Sequence, residues 1–421
     1  MDAPMYTPPR FRLPVWLVLP LLVLTLAVGV AGGRWYARAY DGVCPEAEQV
    51  CQDFSKFWTA WQVAEDNFVD PAAIDPERMT DGAITGMLDS LGDEGHTRYL
   101  PAEAAKAERE SLSGRFEGVG AYITERDGQI VLQPIDGSPA DLAGLRTGDV
   151  LLRVNGEAIE GLDTAQIAAK VRGPKDTSVT LTVLHEAAEL PVDITVTRDE
   201  ITTPSTLWEM LPNKVALVRL TQFSEPSGDD MRRALLELQE QGAQAVVLDL
   251  RNNPGGLVME LVEIAGLFLP KGSTVLLEQD RSGDKSPYTT DGDPVLANLP
   301  VVVLVNNYSA SSAEILAGSL QENGRAKVLG TPTFGTATVL RSFDLGGGAE
   351  MRLGTTQWLT PKGEVVRGKG ITPDEVVALP PEALPLSPRE ASLLSEQALL
   401  ESEDTQLARA LQVIQTTLAG R

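Results

Sequence analysis

The chain predicts an α/β fold spread over more than one domain, and three observations carry that expectation. Over residues 202–380 short apolar runs alternate with stretches of helical period, the pattern of a largely parallel sheet with crossover helices. One run, Val301–Val305, is wholly apolar and bounded by Pro300 and the Asn306-Asn307 pair; it is too brief for a helix and reads as a buried strand. At 421 residues the chain also exceeds one ordinary core, so two or three domains are expected.

Composition narrows the function. Lys and Arg number 35 against 59 Asp and Glu, a net charge of −24, so the basic footprint that nucleic acid requires is missing. Residues 15–33 carry no charge and are long enough to cross a bilayer. Arg10 and Arg12 precede them, which leaves the N-terminus in the cytoplasm and the remainder outside. A cleaved signal peptide with its small-residue site within residues 27–32 is the competing reading. In either case the working part is expected outside the cytoplasm, where Cys44 and Cys51 are free to pair. If one helix carries both, their spacing is tight for a disulfide, so the bridge stays open. With only two Cys and two His (His96 and His185), no metal site and no other cofactor is expected.

In chain order, Phe54, Phe57, Trp58 and Trp61 repeat at helical spacing, as do Ile84, Met87, Leu88 and Leu91. These predict amphipathic helices whose aromatics serve the core or a dimer contact. Residues 101–115, rich in Glu and Ala, read as a helical linker. Short strands are then expected over 116–123 and 128–135, a short helix over 138–145, an Asn155-Gly156 hairpin turn, a helix over 163–171 and a strand over 178–185. Gly118, Val119 and Gly120 in isolation would be a bulge or tight turn. The core follows: a strand over 214–220, a helix near 229–240, a strand over 245–250, the loop RNNPGG, and a helix with Leu257, Leu261, Ile264 and Phe268 on one side. After Val301–Val305 a helix starts at Ser312, with Ile315, Leu316 and Leu320 on one face and Gly324 as a left-handed C-cap. Two strand-like runs, 338–345 and 349–359, come next. The tail beyond Pro380 is Pro-rich and then amphipathic over 405–418, an arm for packing or dimerisation.

Ser311 stands where strand meets helix, and unpaired N–H groups with the helix dipole favour negative charge there. A serine nucleophile needs such a place, because acyl transfer builds an oxyanion that preorganised donors must meet. Ser311 and Glu314 equally spell S-x-x-E, a capping box in which the hydroxyl merely accepts a backbone N–H. Residues 202–380 contain no histidine, so a Ser-His-Asp triad would need His96 or His185 to reach in from elsewhere. A lysine whose pKa burial has lowered is the usual substitute.

The 116–185 segment is similar to a PDZ domain. The ordered blocks LTQFS, LDLRNNPGG, NNYSASSAEILAGSLQENGRA, LGTPTFG and GITPD resemble the carboxy-terminal processing (tail-specific) proteases, from about Trp58 to about Leu379. That resemblance implies an α/β crotonase-like protease core preceded by a PDZ domain, an N-terminal helical segment and a transmembrane anchor. The domains would be 1–33, 34–115, 116–198, 199–380 and 381–421. It implies Ser311 as nucleophile, Glu314 and Thr333 as supporting residues, Gly255 and Gly256 as the loop beside the oxyanion, and the Ser312 N–H as a second donor. Gly118, Val119 and Gly120 would hold the carboxylate of a protein or peptide C-terminal tail. A homodimer stays open. One departure matters: the family's base lysine, twenty-five residues after the nucleophile, is Thr336 here, and its glutamine is Leu340. A threonine hydroxyl is no base near neutral pH. The leading expectation is a membrane-anchored extracytoplasmic serine endopeptidase; the alternatives are another base (Lys327, Lys362 or Lys369), slow residual turnover, or a pseudoprotease that grips tails without cutting them.

Overall fold

The computed structural model describes residues 48–420 apart from 94, 95, 127, 136, 186, 187 and 189. The expected span at 15–33 and Cys44 lie outside the described residues. Among those described, no helix is long and apolar enough to cross a membrane, and Cys51 is disulfide-bonded.

The chain divides into two compact units, 1–80 and 81–421. In the first, the helix Glu48–Asn67 carries the aromatic stripe, whose rings pack mainly on one another: Phe57 lies 5.1 Å from Trp58 and 6.0 Å from Trp61, centroid to centroid. Phe54 and Trp58 remain more than half exposed, so the expected core role is not realised within the unit.

The second unit is built on a six-stranded sheet in the order Thr206–Leu211, Val215–Leu220, Ala245–Asp249, Val301–Val305, Lys327–Gly330, Glu375–Val376. The first pair is antiparallel and all later pairs are parallel. Ala245–Asp249 and Val301–Val305 are buried at every residue, as strands covered on both faces must be. Side chains alternate by the two-residue period. Val246, Leu248, Val303 and Val305 pack beneath the helices Ser227–Glu240, Val258–Gly266 and Ser312–Glu322, while Val247, Val302 and Leu304 face Leu407, Leu411 and Ile414 of the helix Thr405–Ala419. Of the packing and dimer roles expected for the C-terminal tail, packing is the one seen: it covers the sheet's second face.

A second, antiparallel sheet contains Arg98–Leu100, Ala349–Leu359, Thr274–Gln279 and Lys285–Thr289, with Thr338–Gly346 folded back on Ala349–Leu359. The helix Ala102–Ser113 follows Arg98–Leu100 and buries Ala105 completely, so the predicted linker is a docked element. The segment that resembles a PDZ domain has its own six-stranded sheet, Ala121–Arg126, Gln129–Pro134, Asp149–Val154, Ser178–Leu184 and Val192–Thr197 with Glu157–Ala158 paired to Asp149–Val154, around a core of Leu132, Leu151, Ile167 and Leu181. The single strand expected over 116–123 is broken at Val119-Gly120, because Gly120 turns at φ 78°. Its first part, Arg115–Gly118, pairs instead with Asp199–Thr202 in a ribbon.

Buried ions fasten the tail to the core. Asp249 is fully buried; burial pushes its carboxyl up, but Arg251 and Arg219 outweigh that and hold it at about 2. Arg251 in turn donates to both oxygens of Asp404, at 2.7 and 3.0 Å. Removing one partner of a buried pair typically costs about 3–5 kcal/mol. Asp404→Ala is expected to lower the urea-unfolding free energy by about that much; a loss under about 1 kcal/mol would contradict the fastening role. The Asp249 carboxylate is ionised well below its unfolded value of about 4, so its contribution is complete above that pH and drains as pH falls towards 2. Acid titration of stability should be shallower in Asp249→Asn, and an unchanged slope would refute the assignment.

Candidate active site

Two adjacent parallel strands, Ala245–Asp249 and Val301–Val305, end side by side, and the loops that leave their carboxyl ends build the site. Polar side chains stitch these loops together. Asn306 Nδ2 donates to Asn252 Oδ1 at 2.7 Å, Asn252 N–H to Asn306 Oδ1 at 3.0 Å, Ser309 Oγ to Leu250 O at 2.8 Å, and Ala310 N–H to Asn253 O at 3.0 Å.

Ser311 then opens the helix Ser312–Glu322 with φ 53° and ψ −121°. An ordinary N-cap residue is extended, and a non-glycine residue held in such a region costs roughly 1–3 kcal/mol. The anchor is Glu314, fully buried one turn inside the helix. Its Oε1 accepts from the Thr333 hydroxyl at 2.5 Å and the Gly335 N–H at 2.7 Å. Its Oε2 accepts from the N–H groups of Ser311 at 2.9 Å and Thr336 at 3.0 Å, and from the Thr336 hydroxyl at 2.7 Å. Ser311 and Glu314 have the form of a capping box, Glu314 reaching back to the Ser311 N–H and the Ser311 oxygen facing the Glu314 N–H, yet the Ser311 hydroxyl gives its own proton to no group among the described residues. It is left for other work, and Ser311 lines a cavity of about 340 Å³ together with Gly255, Gly256 and His96.

The two glycines of the loop divide their tasks. A Cβ on Gly255 would lie 2.7 Å from Ser311 Cβ, and one on Gly256 would lie 2.2 Å from Phe223 O, so only glycine allows this approach. The Gly255 N–H is spent on Asn253 Oδ1 at 2.8 Å. The Gly256 and Ser312 N–H groups have no partner among the described residues. The Ser312 hydroxyl donates to Gly256 O at 2.9 Å and so ties these two amides to each other. Of the two glycines expected in the loop beside the oxyanion, Gly255 shapes the loop, and the donors left free among the described residues are those of Gly256 and Ser312.

Thr336 meets Ser311 at the backbone. Its hydroxyl accepts the Ser311 N–H at 2.8 Å and gives its own proton to Glu314, which makes it a backbone support. Thr333 extends the same support, accepting from the Ile371 N–H at 2.7 Å. Lys327, Lys362 and Lys369 are exposed and none lines the Ser311 cavity. His185 is committed to Asp149 in the PDZ unit at 2.6 Å. His96, by contrast, does reach the Ser311 cavity, with Leu340 and Thr338 beside it. Nothing in the local spacing announced this; the sole hint was that the core has no histidine of its own.

In the PDZ unit a groove of about 340 Å³ is lined by Phe116, Val119, Gly120, Ile123, Ala168 and Val171. Val119 and Gly120 are buried, and their N–H groups take no partner among the described residues. Gly118 is set apart from them in the ribbon, opposite Asp199.

Comparison with known proteins agrees with this architecture. Residues 214–377 match peptidase family S41 and residues 130–184 match a PDZ domain. The carboxy-terminal processing protease CtpA of Bacillus subtilis (strain 168) is 36% identical over 307 residues, covering 73% of this chain and 65% of that protein. A Staphylococcus aureus (strain COL) protein named "Probable CtpA-like serine protease" is 35% identical over 308 residues, 73% of this chain and 61% of its own. The chain thus spans somewhat less than two thirds of the length of either relative. A solved protein from Bacteroides fragilis NCTC 9343 shares the fold, with a TM-score of 0.51 at 17% identity over 83% of this chain and 92% of that one. Residues 214–377 thus belong to peptidase family S41, and with the PDZ domain before them they stand in the order expected of the carboxy-terminal processing proteases.

Proposed function

We propose that the chain is a serine endopeptidase that takes protein C-terminal tails in its PDZ groove and attacks a peptide bond with Ser311. One observation carries this reading: a serine hydroxyl that gives its proton to no group among the described residues shares a cavity with the Gly256 loop, and two amides there, Gly256 and Ser312, lack partners among those residues. Partnerless N–H groups next to a nucleophile fit a tetrahedral oxyanion, where each such donor is worth about 10²–10³ in rate. The free amides of Val119 and Gly120 fit a peptide carboxylate in the same way, with the peptide added to the sheet edge. We place the catalytic part outside the cytoplasm behind a membrane anchor at residues 15–33, on the strength of their uncharged length and the two arginines before them. A second reading, tail binding without cleavage, is favoured by Thr336 at the position of the family's lysine.

A fluorophosphonate probe should label Ser311 in the folded protein, and Ser311→Ala should abolish the label; a folded parent that stays unlabelled would leave only the binding reading. A peptide ending in a free carboxylate should bind at least about tenfold more tightly than its C-terminal amide, since one charge-assisted hydrogen bond is worth about 1.5–3 kcal/mol. Equal affinities would remove the tail from the account. Glu314→Gln must turn an amide N–H₂ against backbone donors on one side or the other, so it should lower stability by about 2–3 kcal/mol and slow probe labelling. Full stability and full labelling would show that the carboxylate holds nothing.

A further inference from the structure

If Ser311 is a nucleophile, its proton needs an acceptor, and neither Thr336 nor a core lysine supplies one. The Ser311 cavity holds one other titratable nitrogen base, His96, which is 9% exposed. Its Nδ1 lies 2.5 Å from Thr338 Oγ1, and Thr338 Oγ1 lies 3.1 Å from Asp93 Oδ2. Asp93 also accepts from the Thr97 hydroxyl at 2.7 Å and from Arg367 at 2.9 Å. Burial pushes the Asp93 carboxyl up, but the hydrogen bonds from Thr97, Arg367 and Thr338 outweigh it and keep the group ionised.

Proton counting then decides the tautomer. A hydroxyl has one proton, and an ionised carboxylate only accepts. Thr338 therefore donates to Asp93 and must accept from His96 Nδ1–H, which leaves Nε2 of the neutral ring unprotonated. Nε2 has no hydrogen-bond partner, and it is not among the sealed, partnerless polar atoms of the described residues, so it opens to accessible space.

We propose that His96 is the general base and acid of this site, acting through Nε2, with Thr338 and Asp93 as positioning residues that fix its tautomer. The proposal rests on the peptidase reading above. Nε2 takes the Ser311 proton as Oγ bonds the scissile carbonyl carbon and the carbonyl π pair moves to oxygen, against the Gly256 and Ser312 amides. The imidazolium returns that proton to the leaving amine nitrogen as the C–N bond breaks, leaving an acyl group on Ser311. Water repeats the sequence: Nε2 takes its proton, its oxygen bonds the acyl carbon, and the proton returns to Ser311 Oγ as the carboxylic acid leaves. The layout is that of a Ser-His-Asp triad with a threonine hydroxyl between the last two members.

Charge around the ring predicts the pH profile. Burial lowers the His96 pKa below its ordinary 6.5, Asp93 opposes this, and Arg98 and Arg367 add to the lowering. Glu108 and Arg352 complete the charged wall of the cavity. The base form is thus present above that lowered value, and kcat/KM should fall only as pH drops below 6.5.

The test is peptide cleavage by the full-length protein and its variants. His96→Ala and His96→Gln should lower kcat by about 10²–10⁴ with KM within about threefold, and added imidazole should restore part of the His96→Ala rate. Asp93→Asn removes the charge that raises the ring's pKa and should move the acid limb to lower pH. Thr338→Ser should keep the parent's profile, whereas Thr338→Val should not. His96 variants as fast as the parent, with Ser311→Ala inactive, would overturn the proposal and leave the peptidase reading standing. So would an acid limb that Asp93→Asn does not move. A folded parent no faster than Ser311→Ala would overturn both.

Discussion

The site depends on a single buried carboxylate. Glu314 gathers five donors from three places in the chain: the Ser311 amide at the helix start, Thr333, and the Gly335-Thr336 turn. No cation pairs with it within salt-bridge distance among the described residues. Its charge is met by hydrogen bonds alone, which is how a buried ion avoids a prohibitive desolvation cost. The same bonds stabilise the positive φ of Ser311, because the amide that conformation redirects is one that Glu314 and Thr336 accept. A strained residue persists only where its surroundings over-determine it. Thr336 contributes to this as an acceptor and donor of one hydrogen bond each, a role that needs no basicity.

The sheet supplies the rest. Parallel strands carry successive loops to the same edge, so the glycine loop after Ala245–Asp249 and the serine loop after Val301–Val305 meet without any further device. The ion network behind that edge, from Arg219 through Asp249 and Arg251 to Asp404, joins the start of the glycine loop to the C-terminal helix that covers the far face. Fold stability and loop placement are thus coupled through the same buried charges.

Much of this was legible in the sequence because it is local. Wholly apolar five-residue runs mark strands covered on both faces, and Ser311, Glu314, Thr333 and the NPGG glycines lie in short motifs. What escaped is long-range. Arg98–Leu100 is three residues and carries no period, yet it edges a sheet with Ala349–Leu359. The hairpin of Thr338–Gly346 and Ala349–Leu359 was visible as two runs but not as a partner for Thr274–Gln279. The division of labour between Gly255 and Gly256 is set by which amide the Asn253 side chain occupies, a matter of side-chain direction that spacing does not encode. Bringing His96 to the cavity that Ser311 lines requires closing a loop of more than two hundred residues, and only the folded chain does that.

The central claim is that Glu314 holds Ser311 so that the Gly256 and Ser312 amides stay vacant for an oxyanion. A crystal structure of the protein phosphonylated on Ser311 tests it most directly. The account predicts the non-bridging phosphoryl oxygen within about 3.1 Å of both amide nitrogens, with Ser311 still at positive φ and Glu314 still bonded to its amide. An oxygen turned to solvent or held by other groups, with those two amides unengaged, would contradict it.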